Sequence, residues 1–533
     1  MTRRDLLPLG AVAAVFIALR LPLFVDPALH LGWNSDAVIF GMMAKAIAAG
    51  RELPLYFWRQ SYMGVMTSYL TVPLLRAISA PAALRIASAA EVLAGIVFYW
   101  LGLRRAFGQK VATIDALWMA IGPGYMMLFV VVPVGGEQMF VLSAIIYWLA
   151  EVTGLQRPRD WFFFGLLFGF GWWQHQGIIF AAGAAVIAVV LRSEWWTRVR
   201  DARPPRRNPL RIAIASLLAI DVLLALLHSL GARVPFFFIL HPVADPLVAF
   251  VLVAMLNAPR VRAMLRVDRA PVVRAALFVA GALIAYSPVL IGKWRGVVPQ
   301  GYGLSVPPNE IAEVARHIVT FLGSDLWLTL GAAAAVVIVP FFIVAMLRRP
   351  PLDMPLVTII LCVLFYVFSQ RAHPGSMRYI VSAVPMVYAF AAQEMLRLRA
   401  RMIPVAVATL ALLVPRVMQV RDVARGEGEQ YGGLPADFDP RPTLRIIEAK
   451  HYDVCYAGYW VAYKLQWVSD ERVRFIPYRS FDRNPAASRA LAAAPGPKCY
   501  VNDNGHVRAF DPRELTDDVS RKAAERLRRL RGQ

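Results

Sequence analysis

Asp36 is the residue in this 533-residue chain whose setting points most directly to chemistry. It follows Asn34 and Ser35 and opens the run Ala37 to Ala49, which stops at Gly50. Pro54, Tyr56, Gln60, Tyr62 and Gly64 come next, and the whole forms a polar island between apolar stretches. A carboxylate at a membrane boundary is costly to desolvate, so it is either retained for a task or faces water. A plainer role stands beside the chemical one, because Asn, Ser and Asp satisfy free amides at a helix start and glycine ends helices. Two other groups invite the same question. Glu137 follows Gly135-Gly136 and either takes part in chemistry or opens the next helix. His175 sits in Trp172-Trp173-Gln174-His175-Gln176 without a second His or Cys at ligand spacing. A hydrogen-bonded structural place therefore fits it better than a metal site, and the sequence implies no metal and no cofactor.

The elements that must hold these groups are membrane spans. The chain is 58% hydrophobic and only 17% charged, with a formal charge of +22. Crossing a hydrocarbon core takes roughly 20 apolar residues, and the positive-inside bias orients the spans. Residues 7 to 24 follow Arg3 and Arg4 without a small-residue cleavage site, and read as a retained first span. The first outer loop, within residues 25 to 80, holds the polar island and ends in a semi-apolar stretch, 65 to 79, at the interface. Spans at 81 to 103, 111 to 131 and 139 to 155 follow, with Arg104, Arg105, Lys110, Arg157 and Arg159 marking the inside.

The next apolar stretch, 161 to 191, lies between two basic inside loops, so it must cross an even number of times. It is read as two short helices broken around Gly169 to Gly177, since irregular backbone at depth is tolerated where it lines a cavity. Further spans are expected at 210 to 231, 236 to 257, 275 to 291, 326 to 347, 352 to 369, 379 to 398 and 402 to 418. The total is about thirteen crossings of the length a bilayer demands. The arginines lie in short loops between spans, which argues for topology and against a nucleic-acid partner.

Composition changes after residue 420. Residues 421 to 533 hold 20 Lys plus Arg against 16 Asp plus Glu. The β-like runs 454 to 457, 473 to 477 and 498 to 501 alternate with helix-like stretches at 441 to 450, 460 to 468 and 512 to 530. This reads as a small C-terminal α/β domain with a parallel sheet. Cys455 and Cys499 lie on two of those runs, and their pairing depends on whether the tail is extracytoplasmic. The fold class is thus an α-helical polytopic membrane protein, residues 1 to 420, carrying a soluble α/β domain, residues 421 to 533.

Ser35-Asp36, Gly41-Met42-Met43-Ala44, Gly50 and Gln60-Ser61-Tyr62-Met63-Gly64 resemble the first extracytoplasmic loop of the GT-C glycosyltransferases. This superfamily includes the protein O-mannosyltransferases and the bacterial lipid A aminoarabinose transferase. Glu137 in a second outer loop, the Trp-rich broken pair, Arg378-Tyr379 before Pro385 and the soluble tail are similar to the family's layout. The chain departs from the family pattern at Ala37, where a second acid is usual, at Arg59 before Gln60, and at Val65-Met66-Thr67, where a further acid is expected.

The resemblance implies transfer of a sugar from a polyprenyl-phosphate carrier to a hydroxyl of a glycan, lipid or protein acceptor, outside a bacterial inner membrane. Such transfer needs a base for the acceptor proton and cations for the departing phosphate. By resemblance Asp36 is that base, acting opposite the phosphate with inversion. Arg59, Lys293, Arg295 and Arg378 are the candidate phosphate holders, Arg being favoured for forked contacts; each also fits an interfacial anchor. Gln60, Tyr62, Glu137 and His175 complete the candidate donor and acceptor site, and Asp36, Glu137 and Arg378 are expected around one outward cavity. Two other functions remain open: a transporter or flippase of lipid-linked sugars, and a non-catalytic membrane scaffold. A transporter would gather its ionisable groups near mid-membrane and show internal repeats, and neither feature is found.

Overall fold

The computed structural model describes residues 3–24, 35–60, 63–122, 126, 133–193, 270–295, 311–348, 352–368, 380–424, 440–477, 484–502 and 505–509. Helix α1 (Arg3–Arg20) runs into a 3-10 turn, Leu21–Phe24. The first loop supplies α2 (Ser35–Ala48) and the short α3 (Met66–Thr71). Then come α4 (Ala80–Phe107), α5 (Gln109–Ile121), α6 (Gly136–Thr153), α7 (Pro158–Gln174) and α8 (Ile178–Arg192). Later helices are α9 (Ala270–Trp294), α10 (Ile311–Thr320), α11 (Leu326–Leu330), α12 (Ala332–Leu347), α13 (Met354–Phe368), α14 (Val384–Arg397) and α15 (Met402–Ala424). Among the described residues four helices are long and apolar enough to cross a membrane, or five if one bent pair counts as a span. The spans expected at 210 to 231 and 236 to 257 lie outside the described residues.

Two seams are built from glycine, because apolar burial alone does not drive helices together in lipid and close backbone approach must do so. On α4, Gly95 and Gly102 face α6: a Cβ at Gly95 would stand 2.5 Å from the Phe140 ring, and one at Gly102 2.5 Å from that of Tyr147. The second seam, α7 on α9, is tighter. A Cβ at Gly165 would come within 2.1 Å of the Phe278 carbonyl oxygen, one at Gly169 within 2.2 Å of that of Ala282, and one at Gly281 within 2.3 Å of that of Phe162.

One sequence expectation is narrowed and two are revised. The break in the Trp-rich pair falls at His175-Gln176-Gly177, the last residues of the stretch expected for it, because Gly165, Gly169 and Gly171 are spent inside α7 on close packing. The apolar run 326 to 347 is not one straight span. A helix ending at Leu330 turns by 108° into α12 at Gly331, whose φ of 84° is open to glycine at little cost. In the run 111 to 131, α5 stops at Ile121 before Gly122, also at positive φ. The buried Arg20 side chain donates there to the Ala120 carbonyl oxygen at 2.6 Å, supplying the cation that a helix C-terminus favours.

Beyond α15 the chain forms α16 (Pro440–Ala449), β1 (Val454–Ala457), α17 (Tyr459–Val468), β2 (Arg474–Pro477), α18 (Pro485–Ala493), β3 (Lys498–Val501) and β4 (Val507–Ala509). The sheet order is β2-β1-β3-β4. The first three strands are parallel, and β4 adds an antiparallel edge that sequence reading did not anticipate. Leu444, Ile447, Val461, Leu465 and Phe475 pack on this sheet as a core of their own. Cys455 pairs in register with Cys499, and the two form a disulfide across β1 and β3. The expected helix at 512 to 530 lies outside the described residues.

Candidate functional site

Helix α2 places Asp36 in its first turn and ends as the Ala-rich run and Gly50 require. Gly50 at φ 67° donates to the Ile47 carbonyl and Arg51 to that of Ala46, the paired closure of a Schellman turn. Ala37, Val38, Ile39, Phe40 and Met43 are wholly buried, whereas Asp36 is half-buried. The helix is therefore a fixed platform with its carboxylate at the rim. Its surroundings come from the far end of the chain. The Tyr459 hydroxyl, first residue of α17, donates to Asp36 Oδ1 at 2.5 Å. One turn on, the Trp467 ring covers Gly41, where a Cβ would lie 2.2 Å from it. Lys45 stands 5.0 Å from the same ring's centroid and pairs with Asp470 at 2.5 Å and Glu471 at 3.4 Å.

The rest of the first loop is clamped to the break between α7 and α8. Met63 pairs with His175 in an antiparallel bridge, Gly64 N–H donates to the Gln174 carbonyl at 2.8 Å, and Met66 N–H donates to Gln174 Oε1 at 3.0 Å. The Trp173 indole donates to the Leu55 carbonyl at 2.6 Å, and the Tyr56 and Tyr286 hydroxyls meet at 3.3 Å, which brings α9 to the same loop. The His175 imidazole Nδ1 accepts from the Gly177 N–H at 3.0 Å. That contact lies within the turn itself. Nearby, burial pushes the Glu52 carboxyl above its ordinary range, a rise the Trp58 indole N–H and Arg51 oppose.

Glu137 is fully buried in the first turn of α6 and accepts from the Gly135 N–H at 3.1 Å and the Val134 N–H at 3.2 Å. Thr67 lies between it and Glu91: its hydroxyl is 2.8 Å from Glu91 Oε2 and 3.2 Å from Glu137 Oε1, while Gln138 Nε2 donates to it at 3.0 Å. A hydroxyl carries one proton, so Thr67 serves one carboxyl at a time, and the shorter contact is to Glu91. Ser68, its neighbour, donates to the Phe40 carbonyl on α2 at 2.8 Å. Helix α3 thus touches both α2 and the Glu137 network. Glu91 does not stand out in the sequence, since an isolated Glu in an apolar span carries no spacing signal, and Thr67 figures there only as part of the run that lacks an expected acid. Replacing Thr67 with Val keeps its shape and removes the hydroxyl shared by three buried groups. A loss of about 1–3 kcal/mol is expected for polar groups left unpaired, read as a lower melting midpoint of the purified protein, whereas Thr67→Ser stays close to wild type.

Gln60 is buried beside the clamp, and Arg59 is exposed in the left-handed region at φ 56°. Lys293 and Arg295 are exposed at the C-terminal end of α9, two turns beyond Tyr286. Tyr62 and Arg378 lie outside the described residues, as does any convergence of Arg378 with Asp36 and Glu137.

Residues 71–228 match the family described as dolichyl-phosphate-mannose-protein mannosyltransferase. No protein of curated function matches the sequence. Among solved structures, the chain is similar to ArnT from Cupriavidus metallidurans bound to undecaprenyl phosphate, at 14% identity and a TM-score of 0.49, over 93% of this chain and 92% of that one. It is similar as well to the Archaeoglobus fulgidus oligosaccharyltransferase in the apo form, at 14% identity and a TM-score of 0.47, covering 89% of this chain. The chain spans only 64% of that enzyme's length. The archaeal oligosaccharyltransferase AglB from the same organism, in complex with an inhibitory peptide and a dolichol-phosphate, matches at 14% identity and a TM-score of 0.46. Such structural likenesses are loose. The family match takes in Glu91, Glu137 and His175, begins after Asp36 and covers less than a third of the chain; it points the same way as the resemblance drawn from the first loop.

Proposed function

We propose that this protein is a multi-pass membrane glycosyltransferase that moves a sugar from a polyprenyl-phosphate carrier to an acceptor hydroxyl on the extracytoplasmic face. The observation that carries this reading is the match of residues 71–228 to a family whose description names a polyprenyl-phosphate sugar as donor. Asp36 takes the acceptor proton, the acceptor oxygen bonds to the anomeric carbon, and the bond from that carbon to the carrier phosphate breaks on the opposite face, so the configuration inverts. A half-buried carboxylate on a rigid helix supports the base assignment, because a base must be held within hydrogen-bond reach of its proton. Arg59 is an exposed cation of the loop and Lys293 and Arg295 are exposed at the end of α9, and the phosphate is assigned to them together with Arg378.

The tail is assigned to the outer face as a soluble α/β domain, and the Cys455–Cys499 disulfide supports that, since such bonds persist in oxidising compartments. The test is a deletion strain. Its membranes are expected to accumulate carrier-linked sugar and its surface to lack one glycan, both reversed by the wild-type chain. Unchanged lipid-linked sugars and surface glycans after deletion would remove the transferase reading.

A further inference from the structure

We propose that the soluble tail completes the active site, with Tyr459 acting as a positioning residue whose hydroxyl orients the Asp36 carboxylate. The inference rests on Asp36 being the base, and goes beyond it by making a residue 423 positions away part of the reaction. Three observations converge. Tyr459 Oη reaches Asp36 Oδ1 at 2.5 Å, a short charge-assisted contact. Its ring is held edge-on by Tyr463, with centroids 5.5 Å apart, and is 6% exposed, so the hydroxyl does not sample many directions.

The helix that carries it is fixed to α2 at two further places in the same order along both helices. Trp467 seats on Gly41, which has no Cβ to obstruct it, and Lys45 is held by the Trp467 ring, Asp470 and Glu471. A helix fixed along three points of α2 aims its first hydroxyl at one oxygen. Had Tyr459 served only to attach the tail, the aromatic and ionic contacts downstream already do so. The hydroxyl adds direction to a half-buried carboxylate at the rim of the platform. Reacting groups lose rate steeply when misplaced, so orientation is where such a contact acts.

The experiment compares wild type, Tyr459→Phe and Asp36→Asn, using carrier-linked sugars extracted from the deletion strain as donor and membranes of that strain as acceptor. Tyr459→Phe keeps the ring and removes only the hydroxyl. Its kcat is expected to fall about tenfold with KM for the donor unchanged, the split left when an interaction acts on turnover alone.

Tail docking is read separately by mass spectrometry of a Lys45→Cys/Asp470→Cys pair closed with a short bifunctional thiol reagent. The cross-link is expected to form equally with Tyr or Phe at 459, and the cross-linked Tyr459 enzyme is expected to stay active. A Phe variant with wild-type kcat overturns the proposal. So does a Phe variant that loses the cross-link, which would make the hydroxyl an attachment point, or a faster Phe variant and an inactive cross-linked enzyme, which would make the tail a cover that must leave. Asp36→Asn separates the two readings. If it turns over like wild type, the base assignment has failed; if it is dead beside a fully active Phe variant, only the part given to Tyr459 is lost.

Discussion

Asp36→Asn is expected to reduce kcat/KM by about 10²–10⁴-fold, the range a positioned general base contributes. The substitution is close to isosteric, and the Asn amide oxygen still accepts from the Tyr459 hydroxyl, so α17 should stay on α2 and the loss should be chemical. In the deletion strain the Asn chain would insert normally, leave carrier-linked sugar accumulated and fail to restore the glycan. Donor KM should hardly move, since in the proposed mechanism the carboxylate acts on the acceptor proton while cations hold the phosphate. Equal restoration by Asn and Asp would end the case for Asp36 as the base.

The second large effect is structural. Gly165→Leu places side-chain atoms where a Cβ alone would already be 2.1 Å from the Phe278 carbonyl oxygen and 2.8 Å from its carbon. These are backbone atoms of α9, which cannot step aside like the end of a side chain. The seam must open, and overpacking of this kind costs about 1–3 kcal/mol or more. The damage should reach the site, because α7 ends at Gln174, which holds Gly64 and Met66, and α9 carries Tyr286 against Tyr56. The expected result is poor recovery of folded protein with little residual transfer. Gly183→Ala is the control, its Cβ meeting only Leu361 at an ordinary 3.5 Å. Equal recovery of the two variants would show that the seam tolerates separation.

What could be read from the sequence followed from local rules. The stop of α2 at Gly50 and the strands read at 454 to 457, 473 to 477 and 498 to 501 rest on residue type and short-range pattern, and the structure has them with the second starting one residue later, at Arg474. A break within 161 to 191 followed from the parity of its basic flanks. Its place within Gly169 to Gly177 did not, because a glycine reads alike whether it bends its own helix or admits a neighbour's backbone; Gly169 does the second and Gly331 the first. The acid–base partners were less legible still. Glu91 and Thr67 meet Glu137 only through folding, and Tyr459 looked like one aromatic among many until its hydroxyl was seen on Asp36.

A contact between residues 36 and 459 also sets a timetable. The first loop leaves the ribosome early, and at roughly 5–20 residues per second its partner follows roughly 20 to 85 seconds later. During that interval α2 exists without the contact that the Tyr459 hydroxyl makes to Asp36. On the proposed role of Tyr459, competence for transfer arrives last, when the newest part of the chain folds back on the oldest, and a truncated translation product is expected to lack it.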